Sequence, residues 1–134
     1  MSQIFIFIDD ESICNFISKT KLIQYNKDAK ILTFESAKEA LQYFGSNSKQ
    51  LALDELFIYL DINMPVMDGF DFLKEYEKKY ASTFHVRICM LTSSNNIGDK
   101  KKAFKYPFVK NFHTKPFQVA YLHDMSKLNP EVFV

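Results

Sequence analysis

Short runs of consecutive apolar residues alternate with amphipathic segments along this chain. The runs are Ile4–Ile8, Lys30–Phe34, Leu56–Leu60, Val86–Leu91 and, more weakly, Phe108–His113. They are short for helices, and they lack the apolar–polar alternation of a strand with one face in water. Continuous apolar runs of this kind are typical of parallel strands that are covered on both faces. The pattern therefore predicts five strands of one buried parallel sheet.

Apolar residues at helical spacing lie between these runs. Ala37, Ala40, Leu41 and Phe44 follow the i, i+3, i+4, i+7 pattern of one helix face. Similar stripes are formed by Ile13, Phe16 and Ile17, by Leu73, Tyr76 and Tyr80, and by Val119, Leu122 and Met125. We expect each stripe to face the sheet, and we predict a shorter basic helix over Lys100–Tyr106.

Five strand–helix repeats predict an α/β fold with helices on both faces of a parallel sheet. Right-handed crossovers limit the topology, and five strands favour a flavodoxin-like (βα)5 sandwich with the strand order 2-1-3-4-5. The 134 residues contain no linker, repeat or change of composition, so residues 1–134 are predicted to form one domain. Gly45–Asp54 is the one longer polar connection.

Composition narrows the classes of partner and location. A formal net charge of +1 gives no general attraction to nucleic acid or anionic lipid. No apolar stretch reaches the roughly 18–20 residues of a membrane span, and no secretory signal is recognisable. Cys14 and Cys89 make no disulfide framework, and we expect both to be buried thiols. These observations predict a cytoplasmic protein that binds neither nucleic acid nor membrane.

Three aspartates follow two strands that are neighbours in the predicted order. Asp9 and Asp10 come directly after the first strand, and Asp61 ends the third run. Unpaired carboxylates this close repel each other by on the order of a few kcal/mol. A divalent cation removes that cost, and ligands that are all oxygen favour Mg²⁺. Capping of a helix over Glu11–Tyr25 is the alternative role for Asp9 and Asp10 alone.

A hydroxyl and a lysine are predicted at the same edge of the sheet. Thr92 closes the fourth apolar run, and Lys115 follows the fifth, before Pro116. Considered alone, Thr92 is typical of a strand terminus or cap, and Lys115 is typical of a solvated surface lysine. Together with the acids they suit phosphoryl transfer to a carboxylate, in which cations neutralise the transferring oxygens and the carboxylate is the nucleophile.

Four segments carry a family resemblance, namely Phe7–Glu11 (FIDDE), Leu60–Gly69 (LDINMPVMDG), Met90–Ser94 (MLTSS) and Thr114–Phe117 (TKPF). In order and spacing they resemble the response regulator receiver domain of two-component signalling, over essentially the whole chain. The resemblance implies a stand-alone signalling receiver. Such a domain assists only its own phosphorylation and dephosphorylation and is not an enzyme with a separate substrate.

The resemblance also implies roles for the acids. Asp61 would accept a phosphoryl group from a sensor histidine kinase or a histidine phosphotransfer protein. Asp10, Asp61 and the backbone carbonyl of Asn63 would bind Mg²⁺ directly, and Asp9 would act through water.

A switch is implied at the other two strands. Thr92 would hydrogen-bond the phosphoryl group, and Lys115 would pair with it, with a Lys115–Pro116 bond that is often cis in the family. Phe112 occupies the position of an aromatic switch, whose ring moves inward as Thr92 is drawn toward the phosphoryl group. The change would reach a downstream protein target through the helix 4–strand 5–helix 5 face, counting the five predicted helices.

Several points remain open at this level. The basic residues Lys100, Lys101, Lys102, Lys105 and Lys110 form either a solvated face or a site for an acidic partner. Pro107 leaves the length of helix 4 undecided. A haloacid-dehalogenase-like phosphatase would need an acid at Asn63, and a flavin carrier would be repelled by Asp9, Asp10 and Glu11. A phosphorylation-independent adaptor on the same fold is a further alternative.

Overall fold

The computed structural model describes residues 2–93 and 96–127, apart from the side chains of Ser126 and Lys127. The strands are β1 (Gln3–Ile8), β2 (Lys30–Phe34), β3 (Glu55–Asp61), β4 (His85–Thr92) and β5 (Val109–Thr114). The helices in these ranges are α1 (Ser12–Tyr25), α2 (Ala37–Ser46), α3 (Ser48–Leu51), α4 (Gly69–Tyr80), α5 (Ile97–Ala103) and α6 (Ala120–Lys127). The strands form one parallel sheet in the order β2-β1-β3-β4-β5, which confirms the predicted topology.

Alternate residues of the strands supply two separate apolar layers, one on each face of the sheet. Ile6 and Ile8 of β1 lie in the layer that includes Phe44 of α2 and Tyr76 of α4. Phe7 lies in the opposite layer, beneath α1 and α6. Because both faces are covered, every strand needs apolar residues at consecutive positions, which explains the runs seen in the sequence.

The apolar stripe of α1 faces solvent, so the prediction that it packs on the sheet was wrong. Ile13, Phe16 and Ile17 are 64%, 68% and 42% exposed. The inward positions belong instead to Asn15, Ser18 and Leu22.

A hydrogen bond explains this orientation of α1. The buried Asn15 amide nitrogen donates to the carbonyl oxygens of Asp9 and Phe34, at 3.0 Å each. These carbonyls lie where β1 and β2 end, and buried carbonyls must find donors. An apolar side chain in this place would leave both of them without the Asn15 donor.

The Gly45–Asp54 connection is partly helical rather than an open loop. It includes the end of α2 and the short helix α3, which is anchored by the buried Leu51. Because of this extra helix, the predicted helices 4 and 5 correspond to α5 and α6.

Helix α5 is displaced toward the N-terminus relative to the predicted Lys100–Tyr106 helix. It begins at Ile97 because the side chain of Asn96 accepts a hydrogen bond from the Asp99 N–H at 3.2 Å, capping the first turn. It ends at Ala103, before Pro107. The stripes in α2 and α4 and near α6 pack on the sheet as predicted.

The two cysteines lie in different environments. Cys89 is fully buried on β4, as predicted, whereas Cys14 is partly exposed and corrects our prediction. The difference follows from the orientation of α1. Within the described ranges, no helix has both the length and the apolar character that crossing a membrane requires.

Candidate phosphoryl-acceptor site

The predicted acids converge at the carboxyl edge of the sheet. Ile8 and Leu60 are paired in the register of β1 and β3, so the residues that follow them emerge side by side. Carboxylate oxygens of Asp9, Asp10 and Asp61 all lie within 4.8 Å of one another. Asp9 and Asp61 are only 7% and 5% exposed, and Asp10 is half-buried. The structure therefore forms a compact, mostly buried acidic pocket.

Lys115 reaches into this pocket from the end of β5. Its ammonium nitrogen lies 2.6 Å from Asp9 Oδ2 and 3.7 Å from Asp61 Oδ2. Its backbone N–H donates to the carbonyl oxygen of Thr92 at 2.8 Å, which ties the lysine to the end of β4. The Lys115–Pro116 peptide bond is cis.

The charges in the pocket perturb one another. Burial, the charge of Asp9 and the charge of Asp10 raise the pKa of Asp61 from 3.8 to about 7. Lys115 and a hydrogen bond from the backbone of Asn63 oppose this rise only in part. Burial alone would lower the pKa of Lys115, but its hydrogen bond to Asp9 and the charges of Asp61 and Asp9 outweigh burial and raise it. The pocket holds more negative charge than one lysine can balance.

The excess of negative charge in the pocket could be balanced by a bound metal ion. The three aspartates offer only oxygen ligands, within a distance that one small divalent ion can bridge. Such an ion would supply the missing positive charge. The residues present therefore fit Mg²⁺.

The loop after β3 is shaped by close packing. A side chain at Gly69 would place its Cβ 2.7 Å from the Asp61 carbonyl oxygen and 2.9 Å from Ile62 Cα, so only glycine fits. The Gly69 N–H donates to the Ile62 carbonyl at 2.8 Å. Asp68 and Asp71 form a reciprocal capping box at the start of α4. These contacts fix the path of the chain that leaves Asp61.

One residue of this loop is strained. Val66 has a φ of 69° and is fully exposed. Side chains branched at Cβ rarely adopt this left-handed conformation. Asn63 and Pro65 are also exposed, so the loop forms a rim beside the acid pocket.

Thr92 and Phe112 lie on the same face of the sheet. Phe112 pairs with Met90 in the register of β4 and β5, and Met90 and Thr92 are two residues apart on one strand. Thr92 is 1% exposed, whereas Phe112 is only partly buried. A cavity of about 190 Å³ lies beside Phe112, with Ile97 and Lys100 of α5 in its wall.

Two features of the site were missed from sequence. Asn15 holds the backbone of Asp9, and its signal was a polar residue within an otherwise apolar helical pattern. Lys21 of α1 donates to the Phe117 carbonyl at 2.9 Å and fastens the segment that follows Lys115. No sequence pattern predicted that contact. Ser94, in the fourth-strand segment of the family pattern, lies outside the described residues.

The known proteins that this chain resembles include response regulators and their receiver domains. The family model described as the response regulator receiver domain matches residues 5–127. Similar solved structures include a two-component response regulator from Cytophaga hutchinsonii, with TM-score 0.84 and 22% identity over 94% of this chain and 95% of that one. A response regulator receiver protein from Dyadobacter fermentans has TM-score 0.81 and 24% identity, covering 94% and 96%. The chemotaxis protein CheY4 of Vibrio cholerae has TM-score 0.69 and 25% identity, covering 95% and 98%.

A curated relative is the heme response regulator HssR of Staphylococcus epidermidis, which is 29% identical over 105 residues. That match covers 74% of this chain and 42% of the relative, so the chain spans less than half of the relative's length. The word heme in that name describes the relative and is not carried over to this chain. With the acid pocket, the strand order and the family match over residues 5–127, this chain belongs to the response regulator receiver domain family.

Proposed function

We propose that this chain is a signalling receiver that accepts a phosphoryl group on Asp61 from a phosphohistidine of a partner kinase or phosphotransfer protein. The observation that carries the proposal is the cluster of Asp9, Asp10 and Asp61 with Lys115 3.7 Å from the acceptor carboxylate. We keep the cytoplasm as the proposed location, because a phosphohistidine donor depends on ATP.

The chemistry follows from the charges of the pocket. An Asp61 oxygen attacks phosphorus, the bond from phosphorus to the donor nitrogen breaks, and that nitrogen keeps the electron pair. Lys115 is poised to neutralise a phosphoryl oxygen, and the Thr92 hydroxyl to donate to another. Mg²⁺ held by Asp10, Asp61 and the Asn63 carbonyl, with Asp9 acting through water, would supply further positive charge.

The outer face of α1 supports a protein donor. Ile13, Phe16 and Ile17 form an exposed apolar patch on the helix that follows the acid pair. Contiguous apolar surface of this kind marks protein–protein contact. A donor helix seated on the patch would bring its histidine to the adjoining pocket.

The switch would be a population shift between two arrangements of Thr92 and Phe112. Movement of the Thr92 hydroxyl toward a phosphoryl group opens space on the face of the sheet that it shares with Phe112. The Phe112 ring, only partly buried, then moves inward and changes the α5–β5–α6 face. This face would contact a downstream protein target.

Intact-mass measurement after incubation with Mg²⁺ and acetyl phosphate tests the proposal. The wild type should gain the mass of one phosphoryl group, which EDTA prevents. Asp61→Asn should gain nothing, while the matched control Asp28→Asn, at an exposed turn, should behave as wild type. Phosphorylation of Asp61→Asn would contradict the assignment, and partner binding that survives this substitution would favour the adaptor.

A further inference from the structure

One charged residue interrupts the apolar pattern of the sheet and has no part in the proposed function. Arg87 lies within the fourth apolar run, and only 11% of its side chain is exposed. In the register of β3 and β4 it pairs with Phe57. The pair two residues further along, Tyr59 and Cys89, belongs to the apolar layer beneath α1 and α6. Arg87 therefore brings a positive charge to a position where the core would otherwise continue.

Two neighbours hold the guanidinium group of Arg87 in place. Its Nη2 donates to Glu55 Oε2 at 3.1 Å, and its Cζ lies 5.1 Å from the centre of the Phe57 ring. Burial lowers the pKa of Arg87, and the charge of Glu55 opposes this effect. An ion pair that is largely removed from water is often no more stabilising than two well-packed apolar side chains. Stability by itself therefore does not account for a charge at this position.

Arg87 lines a cavity at the amino edge of the sheet, which we call the amino-edge cavity. Its volume is about 530 Å³, within the range of about 300–1,000 Å³ that is usual for small-molecule sites. Consecutive residues of β3 and of β4 form its wall, and because alternate side chains point to opposite faces, the cavity lies across the strand ends. Phe57 and Asp61 are four residues apart on β3, so roughly 13 Å of strand separates the cavity from the acid pocket.

The lining of the amino-edge cavity combines an excess of positive charge with apolar surface. Among the described residues of the lining, Arg87 and Lys110 are cations and Glu55 is the one acid. The Lys110 ammonium donates to the Pro107 carbonyl at 2.7 Å, which keeps it beside the cavity. Pro107 itself and Phe108 add apolar surface to the wall. A ligand that matches this lining carries one negative charge and a flat apolar body.

We propose that the amino-edge cavity binds a small aromatic carboxylate of one or two rings. The carboxylate would lie against the planar guanidinium of Arg87 and the ammonium of Lys110, whose combined charge exceeds that of Glu55. The rings of the ligand would pack on the apolar wall formed by Pro107 and Phe108. Inorganic phosphate would meet the same charges but leave the apolar wall uncovered.

Titration of the full chain with naphthoate, followed by the amide signals in NMR spectra, tests the proposal. The largest shifts should fall on residues at the amino ends of β3, β4 and β5, with a dissociation constant below about 1 mM. Naphthol has the same rings without the carboxylate, and it should bind at least about tenfold more weakly. Added salt should weaken the binding of naphthoate.

Substitutions in the cavity have matched controls elsewhere in the chain. Lys110→Gln should weaken the binding of naphthoate about tenfold. The double variant Glu55→Gln, Arg87→Met loses the guanidinium without leaving a buried unpaired charge, and it should weaken binding at least as much. Lys79→Gln, from an exposed ion pair on α4, and Asp61→Asn, in the acid pocket, should bind naphthoate as the wild type does. Circular dichroism checks the folding of each variant, and Lys110→Gln decides the matter if the double variant does not fold.

Several results would overturn the proposal. These are the absence of shifts at millimolar naphthoate, equal affinities for naphthoate and naphthol, or unchanged binding in Lys110→Gln. Shifts centred on the acid pocket would show that Lys115 binds the carboxylate instead. Tighter binding of inorganic phosphate or of octanoate than of naphthoate would assign the cavity to those classes of ligand. No phosphoryl donor is present in these measurements, so their outcome is independent of the acceptor role proposed for Asp61.

Discussion

The Lys115 ammonium nitrogen lies 3.7 Å from Asp61 Oδ2 and, at 2.6 Å, even closer to Asp9 Oδ2. One cation thus faces a pocket of three carboxylates. The pKa of Asp61 is about 7, far above its ordinary value of 3.8, because burial and the charge of Asp9 outweigh Lys115. The pocket therefore strongly disfavours the charge of Asp61, the proposed acceptor, and a bound cation would relieve that cost.

Without metal, stability should fall as the pH rises from about 4 to about 7. In that window the native state binds more protons than the unfolded state, because the folded pKa of Asp61 lies above the unfolded one. The shift corresponds to a loss of up to about 4 kcal/mol in the free energy of unfolding. Urea unfolding in EDTA at several pH values should show this slope in the wild type and a shallower one in Asp61→Asn.

Mg²⁺ is the control for this prediction. It should stabilise the wild type at pH 8 more than it stabilises Asp61→Asn, because binding to the native state adds to the free energy of unfolding. Equal pH slopes in the two proteins would show that the charge of Asp61 is not the cause.

Replacing Lys115 by methionine should slow phosphorylation by acetyl phosphate at least about tenfold. The substitution removes a positive charge from the transferring oxygens, while the apolar stem of the side chain is kept. Time courses by intact mass, with saturating Mg²⁺, measure the effect. Lys49→Met, on the exposed side of α3, is the control, and an unchanged rate in Lys115→Met would contradict the role assigned to the lysine.

Replacing Val66 by asparagine should stabilise the protein by about 1 kcal/mol. Asparagine tolerates the left-handed conformation that Val66 adopts at φ 69°, and full exposure means that no packing is lost. Urea unfolding measures the difference. Alanine lacks the short polar side chain that lets asparagine hydrogen-bond locally in this conformation, so Val66→Ala should gain less. A less stable Val66→Asn would show that the valine is unstrained.

Replacing Gly69 by alanine should destabilise the protein by about 2 kcal/mol. The new Cβ would meet backbone atoms of Asp61 and Ile62, which cannot move aside as a side chain could. In the control Gly98→Ala, the Cβ would meet only the Asn96 side chain at 3.0 Å, in an exposed helix. The two variants should therefore differ clearly in thermal unfolding, and similar midpoints would refute the packing argument.

Changes to the exposed face of α1 should slow phosphoryl transfer from a protein donor and affect phosphorylation by the small donor acetyl phosphate much less. Phe16→Ser removes the centre of the apolar patch, so transfer from a phosphorylated histidine protein should slow about tenfold. For each variant, we would measure the rate of transfer from the phosphorylated histidine protein and divide it by the rate of phosphorylation by acetyl phosphate. Phe104→Ser, at the exposed residue directly after α5, is the matched control. An unchanged ratio in Phe16→Ser would place the donor elsewhere.

For helix α1, the sequence predicted the helix but not which of its sides is buried. The spacing of Ile13, Phe16 and Ile17 predicted a helix correctly but assigned its buried side wrongly. Periodicity locates an apolar stripe, but it does not say whether the stripe packs on the sheet or on another protein. The Asn15 hydrogen bonds to two strand-end carbonyls decided the orientation, and they depend on residues far apart in the chain.

The sequence by itself determined the strands, their order and the edge at which Asp9, Asp10, Asp61 and Lys115 meet. It could do so because parallel strands covered on both faces must be apolar throughout, and their carboxyl ends share one edge. Only the tertiary structure decided the distances among these charges, the strain at Val66 and the side of α1 that faces water. Those properties arise from contacts between segments that are distant along the chain, and local patterns do not encode them.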